Sequence, residues 1–148
     1  MLPKPHAIAA LLLVALAAAP PAGAWSFKGH QTIGELAEQQ LSAPTLAAVR
    51  ELLKDEPSNT LAAVSTWPDE VRSEDAWRHT GRWHFVNFPQ GDCRYRPRRD
   101  CADGQCIVAA LEAQRAVLRN ASSPRQQRIE ALKFVTHFVG DIHQPLHA

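Results

Sequence analysis

Residues 123–147 of this chain read SPRQQRIEALKFVTHFVGDIHQPLH, and this stretch decides the fold. Its apolar side chains recur every three or four residues, which is the spacing of one helical face. They are Ile129, Leu132, Val135, Phe138, Val139 and Ile142. Ser123 and Pro124, followed by Gln126, predict a capping box at the start of the helix. The helix is expected to end before Pro145, because the residue before a proline avoids the helical conformation.

The same stretch carries three histidines and an aspartate. His137 and Asp141 are four residues apart, so both project from one helical face and could bind one divalent cation. His143 and His147 follow them. A hydrogen bond inside a protein core would also explain a single His–Asp pair, and this alternative stays open for the pair alone. Four such residues within a short stretch favour a metal site.

The rest of the chain predicts more helix and no second domain. The spacing of apolar residues predicts helices over 30–41, from Ser42 or Thr45 to Leu53, over 61–76 with an adjustment at Pro68, and over 107–118. Residues 81–89 are predicted to be a short extended aromatic segment. Residues 91–104 are predicted to be an irregular loop, in which aspartates offset much of the charge of the arginines. The expected class is a single all-α domain.

Composition and charge are those of an ordinary globular domain. The chain has 148 residues, is 45% hydrophobic and has a formal net charge of +1. This composition excludes a disordered, collagen-like or coiled-coil protein. A net charge near zero exerts no global attraction on nucleic acid or membranes, so a local site must recruit any such partner.

Residues 1–24 are predicted to be a secretory signal peptide. Lys4 supplies the positive start, residues 7–19 are apolar without a charge, and residues 22–24 read AGA, a small-residue cleavage site. A transmembrane anchor is the alternative, but the apolar run is too short to span a bilayer. Cleavage would leave Trp25 with a free amine and no membrane attachment. The expected location is secreted or periplasmic, where disulfides persist.

Further candidate metal ligands lie outside the last helix. His30 comes five residues after Trp25, whose amine and carbonyl oxygen are also competent ligands. Asp69 is a third candidate, although an acidic residue is also favoured in the first turn of any helix. Spacing alone does not choose between His79 and His84. The chain has no His-Glu-x-x-His motif, no Gly-x-Ser-x-Gly motif and no phosphate-binding glycine loop, which disfavours a serine or cysteine nucleophile.

Four blocks of sequence follow one another in an order that resembles a known family. They are WSFKGH at 25–30, WPDEVR at 67–72, WHFVN at 83–87 and HFVGDIHQPLH at 137–147. Together they resemble the zinc-dependent, single-strand-specific nucleases of the S1/P1 family, over the whole of residues 25–148. The zinc phospholipases C are more distant relatives that share this pattern of metal ligands. The resemblance implies a phospholipase C/nuclease-like helical domain around a zinc cluster.

The resemblance also implies which residues hold the three zinc ions that the family uses. The first zinc would be held by Asp69, His84, His137 and Asp141. The second would be held by the amine and carbonyl of Trp25, by His30 and by the other oxygen of Asp141. The third would use His147 together with ligands beyond residue 148. His143 belongs to the motif but would not bind zinc.

Three further residues match positions at which the family contacts its substrate. Arg72 would neutralise a phosphate, Phe85 would stack on a base, and Asn87 would hydrogen-bond a base edge. The alternatives are a solvated helix face, core packing and a turn cap, respectively. Asp69 would orient the attacking water as well as bind metal, which makes it the expected catalytic residue.

The cysteines and the third zinc site predict a longer protein. Cys101 and Cys106 are expected to form a local disulfide, as in the family, and Cys93 would then need a partner elsewhere. Residues 25–148 are therefore interpreted as the N-terminal portion of a zinc-dependent nuclease domain, with its C-terminal part missing.

The resulting hypothesis is a secreted zinc endonuclease with single-stranded DNA and RNA as its partners. It would release 5′-phosphorylated products, and 3′-nucleotidase activity on nucleotides is a further expectation. Two alternatives remain: a catalytically inactive zinc-binding module, and a phospholipase C-like phosphodiesterase. The sequence predicts no oligomeric state.

Overall fold

The structure is a computed structural model that describes residues 25–147. Within this range the chain forms seven α-helices and one 3₁₀ helix, and no strand. In chain order they are α1 (Phe27–Gln40), α2 (Ala43–Leu52), α3 (Leu61–Val64), α4 (Trp67–Val71), the 3₁₀ helix (Arg78–His84), α5 (Pro97–Asp100), α6 (Ile107–Arg119) and α7 (Arg125–Asp141). The predicted all-α class is confirmed. The predicted signal peptide, residues 1–24, lies outside the described residues.

Helix α7 is the central element, because both hydrophobic clusters of the described chain pack against it. Its first half joins a cluster with α2 and α3 that consists of Leu53, Leu61, Val64, Ile129 and Leu132. Its second half contributes Phe134 and Phe138, which are 1% and 0% exposed, to a cluster with α6. Full burial of one phenylalanine side chain stabilises a fold by about 1.5–3 kcal/mol. The apolar face therefore fixes α7, and with it the histidine and aspartate of its last turn.

Helix α1 lies directly on α3, and a glycine makes this possible. A Cβ atom at Gly34 would lie 2.6 Å from the backbone nitrogen of Ala62, closer than such atoms approach in real proteins. The Glu38 carboxylate accepts a hydrogen bond of 2.7 Å from the backbone N–H of Leu61. It thereby satisfies one of the N–H groups that every helix leaves without a partner at its start. These contacts hold α1, and its buried His30, in place.

The predicted helix over residues 61–76 is wrong, because the chain forms two short helices there instead. Helix α3 ends at Val64 and α4 begins at Trp67. Pro68 has no N–H to donate to the carbonyl of Val64, and its ring would collide with that carbonyl in a continuous helix. A proline in the first turn is compatible with a new helix, so the chain restarts at this point.

Three other local predictions need correction. The extended segment predicted over 81–89 begins only at Phe85, because His84 still belongs to the 3₁₀ helix. The loop predicted over 91–104 contains the short helix α5. The capping box is absent: α7 begins after Pro124, and no side chain caps its first turn. Ser42 does cap α2, since its hydroxyl accepts a hydrogen bond from the backbone N–H of Thr45 at 3.4 Å.

The predicted disulfide is present between Cys101 and Cys106, whose Cα atoms are 5.5 Å apart. Cys93 is exposed and is bonded to no other cysteine among residues 25–147. No helix in that range combines the length and the hydropathy needed to cross a membrane.

Candidate metal centre

Five ionisable side chains from four separate parts of the chain meet beside the last turn of α7. They are His30 of α1, Asp69 of α4, His84 at the end of the 3₁₀ helix, and His137 and Asp141 of α7. All except Asp69 are at most 1% exposed, whereas the Asp69 side chain is 18% exposed. A folded chain buries so many polar groups in one place only when they have partners.

Asp141 is at the middle of the cluster, and its two carboxylate oxygens face different histidines. Oδ2 lies 3.0 Å from His84 Nδ1 and 3.0 Å from His137 Nε2. Oδ1 lies 3.4 Å from His30 Nε2 and 3.4 Å from His147 Nδ1. One carboxylate therefore contacts two separate sets of imidazoles.

His84 Nδ1 and His137 Nε2 are also 3.0 Å from each other, which closes a triangle of ligand-type atoms with Asp141 Oδ2. Asp69 Oδ1 is the fourth ligand-type atom, at 3.7 Å from His84 Nδ1 and 3.8 Å from His137 Nε2. Four ligands at about 2.0–2.1 Å from a tetrahedral zinc ion are about 3.3 Å apart. The spacing of these four atoms fits that arrangement.

The orientation of His137 leaves one ring nitrogen free to bind a cation. Its Nδ1–H donates to the backbone carbonyl of Ser65 at 2.7 Å, so the neutral ring carries its lone pair on Nε2, which faces the cluster. His30 stacks on the same ring, with centroids 3.8 Å apart. An outer hydrogen bond of this kind fixes the tautomer of metal-binding histidines in many proteins.

Several buried atoms of the cluster have no hydrogen-bond partner in the described chain. They are both ring nitrogens of His30 and Nε2 of His84. A buried polar atom without a partner costs about 1–3 kcal/mol. The donor set fits a bound cation, and a cation at His30 Nε2 would give one of these atoms a partner. His84 Nε2 is not the nitrogen that faces Asp141, so this cation would not satisfy it.

The pKa shifts of His84 and Asp141 favour the protonation states that metal ligands need. Burial lowers the pKa of His84, and the nearby His137 lowers it further, although the hydrogen bond with Asp141 acts in the opposite direction. Burial raises the pKa of Asp141, but the imidazoles of His137, His30 and His84 outweigh burial and hold that pKa well below its ordinary range. An ionised Asp141 carboxylate beside a neutral His84 imidazole is ready to bind a divalent cation.

Two overlapping groups in the described chain could each hold a metal ion. One consists of His30, His137 and Asp141, and the other of Asp69, His84 and His137. The residues expected for the first zinc thus lie together, and His30 lies beside Asp141 as expected for the second. The two groups share His137, which the sequence analysis assigned to the first zinc alone, whereas Asp141 belongs only to the group that contains His30.

The structure ties Trp25 to the cluster by a contact that the sequence did not predict. Its indole N–H donates to the backbone carbonyl of Gly140 at 3.0 Å, directly before Asp141. A Cβ atom at Gly140 would lie 3.0 Å from His30 Nδ1, so this glycine lets α1 approach α7. Neither the indole contact nor the role of Gly140 has a signal in the sequence, because both depend on residues more than 100 positions apart.

The other histidines have separate environments. His147 is half-buried, and its Nδ1–H donates to the backbone carbonyl of His84 at 2.8 Å, so it lies at the edge of the cluster. His143 is exposed, and its ring bonds only its own helix through the carbonyl of Val139. His79 is exposed on the surface and packs against Trp77.

Of the three expected substrate residues, Arg72 contacts the cluster directly. The exposed Arg72 is 3.3 Å from Asp69 Oδ1. Phe85 is half-buried and, unlike Val86, belongs to neither hydrophobic cluster of the described chain, so core packing does not account for it. Its backbone carbonyl accepts from the N–H of Ile107 at 3.0 Å. Asn87 is exposed.

A family model described as S1/P1 Nuclease matches residues 25–148 of this chain. The chain belongs to the S1/P1 nuclease family. Members include Endonuclease 4 and Endonuclease 2 of Arabidopsis thaliana, to which the chain is 38% identical over 133 residues and 37% identical over 142 residues. These matches cover 83% and 89% of this chain, and 44% and 48% of the relatives. Nuclease S1 of Aspergillus oryzae is 32% identical over 126 residues, with 83% and 44% covered. The chain thus spans about half the length of the curated relatives that it matches.

Proposed function

We propose that this chain provides the zinc-binding part of a nuclease that hydrolyses single-stranded DNA and RNA and leaves 5′ phosphates on its products. The observation that carries the proposal is the triangle of His84 Nδ1, His137 Nε2 and Asp141 Oδ2, with edges of 3.0 Å. Membership of a nuclease family supports the reaction class. We extend the proposal to 3′-nucleotidase activity, since removal of a terminal 3′ phosphate breaks the same P–O3′ bond that is broken when a 5′-phosphorylated product is released.

Zinc is the metal that these donors favour. Imidazole nitrogens with a few carboxylate oxygens suit zinc, whereas magnesium and calcium prefer six or more oxygen ligands. Asp69, His84, His137 and Asp141 would hold one ion. A second would be held by His30 and Asp141, together with the Trp25 amine and carbonyl after cleavage, and a third would use His147. The contacts of the two Asp141 oxygens with different histidines support the sharing of this carboxylate.

Bound zinc would supply an electrophile for phosphate oxygens and would lower the pKa of a water ligand to about 7. Asp69 is the ligand residue that substrate and solvent can reach, because it is 18% exposed while the other four of the cluster are at most 1% exposed. Its carboxylate would accept a hydrogen bond from the attacking water and hold that water in line with the phosphorus. Arg72, 3.3 Å from the same carboxylate, would bind a phosphate oxygen.

The preference for single strands would come from base stacking. The ring of Phe85 lies outside both hydrophobic clusters, one residue after His84, and is half-buried. Stacking on such a ring is worth about 1–3 kcal/mol per base. Paired duplex DNA hides the faces of its bases, so only an unstacked base could use this contact. Asn87 would hydrogen-bond the edge of that base.

We further propose that residues 1–24 direct export, so that the enzyme acts in a secreted or periplasmic location. The buried disulfide between Cys101 and Cys106 supports this proposal, since disulfides persist in oxidising compartments.

The decisive experiment is to measure metal content and hydrolysis on the same purified protein. Denatured DNA, RNA, duplex DNA and a phosphatidylcholine dispersion are offered before and after treatment with EDTA, and then after zinc is restored. We expect hydrolysis of the single-stranded substrates to be lost with EDTA and regained with zinc. Zinc uptake without hydrolysis would instead indicate an inactive binding module, and release of diacylglycerol would indicate a phospholipase C-like enzyme.

A further inference from the structure

A second cavity lies away from the metal centre, in the cleft between α6, α7 and the 3₁₀ helix. Its volume is about 200 Å³. The indoles of Trp77 and Trp83 line it together with Phe134. The Phe134 ring centroid is 5.8 Å from that of Trp77 and 5.6 Å from that of Trp83. Three adjoining aromatic rings therefore form part of the lining of the cavity.

Polar side chains complete the lining of this cavity. Gln114 of α6 and Glu130 of α7 contribute an amide and a carboxylate, and Gln127 contributes a second amide. The Glu130 carboxylate accepts one hydrogen bond through Oε1, from Gln126 at 2.9 Å, which leaves its other oxygen available. Trp83 is held in place, since its indole N–H donates to the side chain of Gln105 at 3.0 Å.

We propose that this cavity is a second nucleobase subsite with a preference for guanine. Indole faces stack with any base. The volume is below the roughly 300–1,000 Å³ typical of sites for whole drug-sized ligands, so it suits a ring system whose sugar and phosphate stay outside. The Glu130 carboxylate accepts hydrogen bonds, as the N1–H and amino group of guanine require, and its negative charge disfavours a phosphate in the cavity.

The subsite is separate from the metal centre. Phe134 stacks on Phe138 at 5.2 Å between centroids, and Phe138 packs edge-on against His84 at 5.3 Å. These two rings lie between the cavity and the metal ligands, so an occupant would not touch the reacting atoms. The choice of a nucleobase as ligand rests on the proposed nuclease function, whereas binding in the cavity can be measured without any hydrolysis.

The test uses guanosine, which carries no phosphate, with the zinc-loaded protein. Binding is followed by the indole N–H resonances in nuclear magnetic resonance spectra and by isothermal calorimetry. The Phe85→Ala background removes the base site proposed at the metal centre. Val117→Phe fills the cavity from α6, and Ala113→Phe adds the same ring to the exposed side of that helix as a matched control.

We expect guanosine to shift the indole resonances of Trp77 and Trp83 and to leave that of Trp25 unchanged. Val117→Phe should weaken this binding by at least about 10-fold, within the range that loss of base stacking produces, and Ala113→Phe should not change it. Glu130→Gln should remove the preference for guanosine over inosine, which lacks the amino group.

Equal binding by the Val117→Phe and Ala113→Phe proteins, or shifts confined to Trp25, would overturn the subsite. Hydrolysis without guanosine binding would reject the subsite alone, and guanosine binding without hydrolysis would reject only the nuclease.

Discussion

The candidate metal centre and the loop of residues 92–100 both concentrate ionisable side chains, yet several polar atoms of the first have no partner in the described chain, while the charges of the second pair with one another. In the centre, His30, His84 and His137 surround Asp141, and three ring nitrogens have no partner in the described chain. In the loop, Arg99 bonds both Asp92 and Asp100, at 2.6 Å and 2.5 Å. Because these three charges neutralise one another, they do not need a ligand as a partner.

The same contrast appears in the pKa shifts. The hydrogen bonds from Arg99 lower the pKa of Asp92 and that of Asp100, so a cation already present in the chain neutralises them. The low pKa of Asp141 comes from imidazoles, which prefer to be neutral when buried, as His84 is. Among the described residues the ion-pair partners of Asp141 are histidines, with no arginine or lysine, whereas Asp69 at the edge of the centre has Arg72 at 3.3 Å. Unsatisfied buried charge, more than the number of charges, marks a binding site for a cation.

The strongest test of this contrast is Asp141→Asn, with Asp75→Asn as the matched control on an exposed ion pair. The first substitution removes the carboxylate charge that faces both sets of histidines. Loss of an outer hydrogen bond to a metal ligand costs about 10- to 100-fold in affinity or activity, so loss of the shared ligand should cost more than that. Zinc content and hydrolysis of denatured DNA should both fall, while the Asp75 variant stays unchanged. Wild-type rates in Asp141→Asn would refute a centre organised by this carboxylate.

Phe85→Ala separates the proposed metal ligands from the proposed substrate contact next to them in the chain. We expect the KM for single-stranded DNA to rise by about 5- to 150-fold, which corresponds to the 1–3 kcal/mol of one stacked base. Zinc content should not change, because the ring is not a ligand. Phe85→Tyr keeps an aromatic face and should behave like the parent protein. A rise in KM that is equal in both variants would contradict the stacking role.

Gly140→Ala tests whether close packing sets the position of the ligands. The added Cβ would lie 3.0 Å from His30 Nδ1 and 3.1 Å from the side chain of Ile33, so α1 must shift away from α7. Such overpacking typically destabilises a fold by about 1–3 kcal/mol. We expect a lower unfolding midpoint and weaker zinc binding. Gly81→Ala is the control, since a Cβ atom there meets open space, and an identical zinc affinity in both variants would rule out this packing role.

Arg99→Gln tests the loop of residues 92–100, and its effect on the candidate metal centre should be the smallest. A carboxylate whose pKa is lowered by folding adds stability above its ordinary pKa, here 3.8, and this contribution is lost as the pH falls through the lowered value. Unfolding followed at pH 7 should show a slightly less stable variant, and the difference should vanish in acid. Hydrolysis should be unaffected. A loss of activity would show that this loop contributes to the site.

Much of the fold was predictable from the sequence, since helical periodicity is a local property. The spacing of Ile129, Leu132 and Phe138 predicts α7, and the structure buries all three residues. The break between α3 and α4 was misjudged, because Pro68 was treated as an adjustment when its missing N–H ends the preceding helix. The capping box predicted at Ser123 was also wrong, since the helix begins after Pro124 without a side-chain cap. Capping residues only permit a bond, and tertiary packing of α7 sets where the helix starts.

The sequence by itself determined the helical class, the family and the candidate ligands, because periodicity and motif order survive in the linear chain. Only the tertiary structure decided that the two oxygens of Asp141 face different histidines. It also decided that Gly140 leaves room for the ring of His30, and that the indole N–H of Trp25 donates to the backbone carbonyl of Gly140. These are distances between residues that are far apart in sequence. They depend on how helices of fixed shape pack, and no local pattern of residues records that packing.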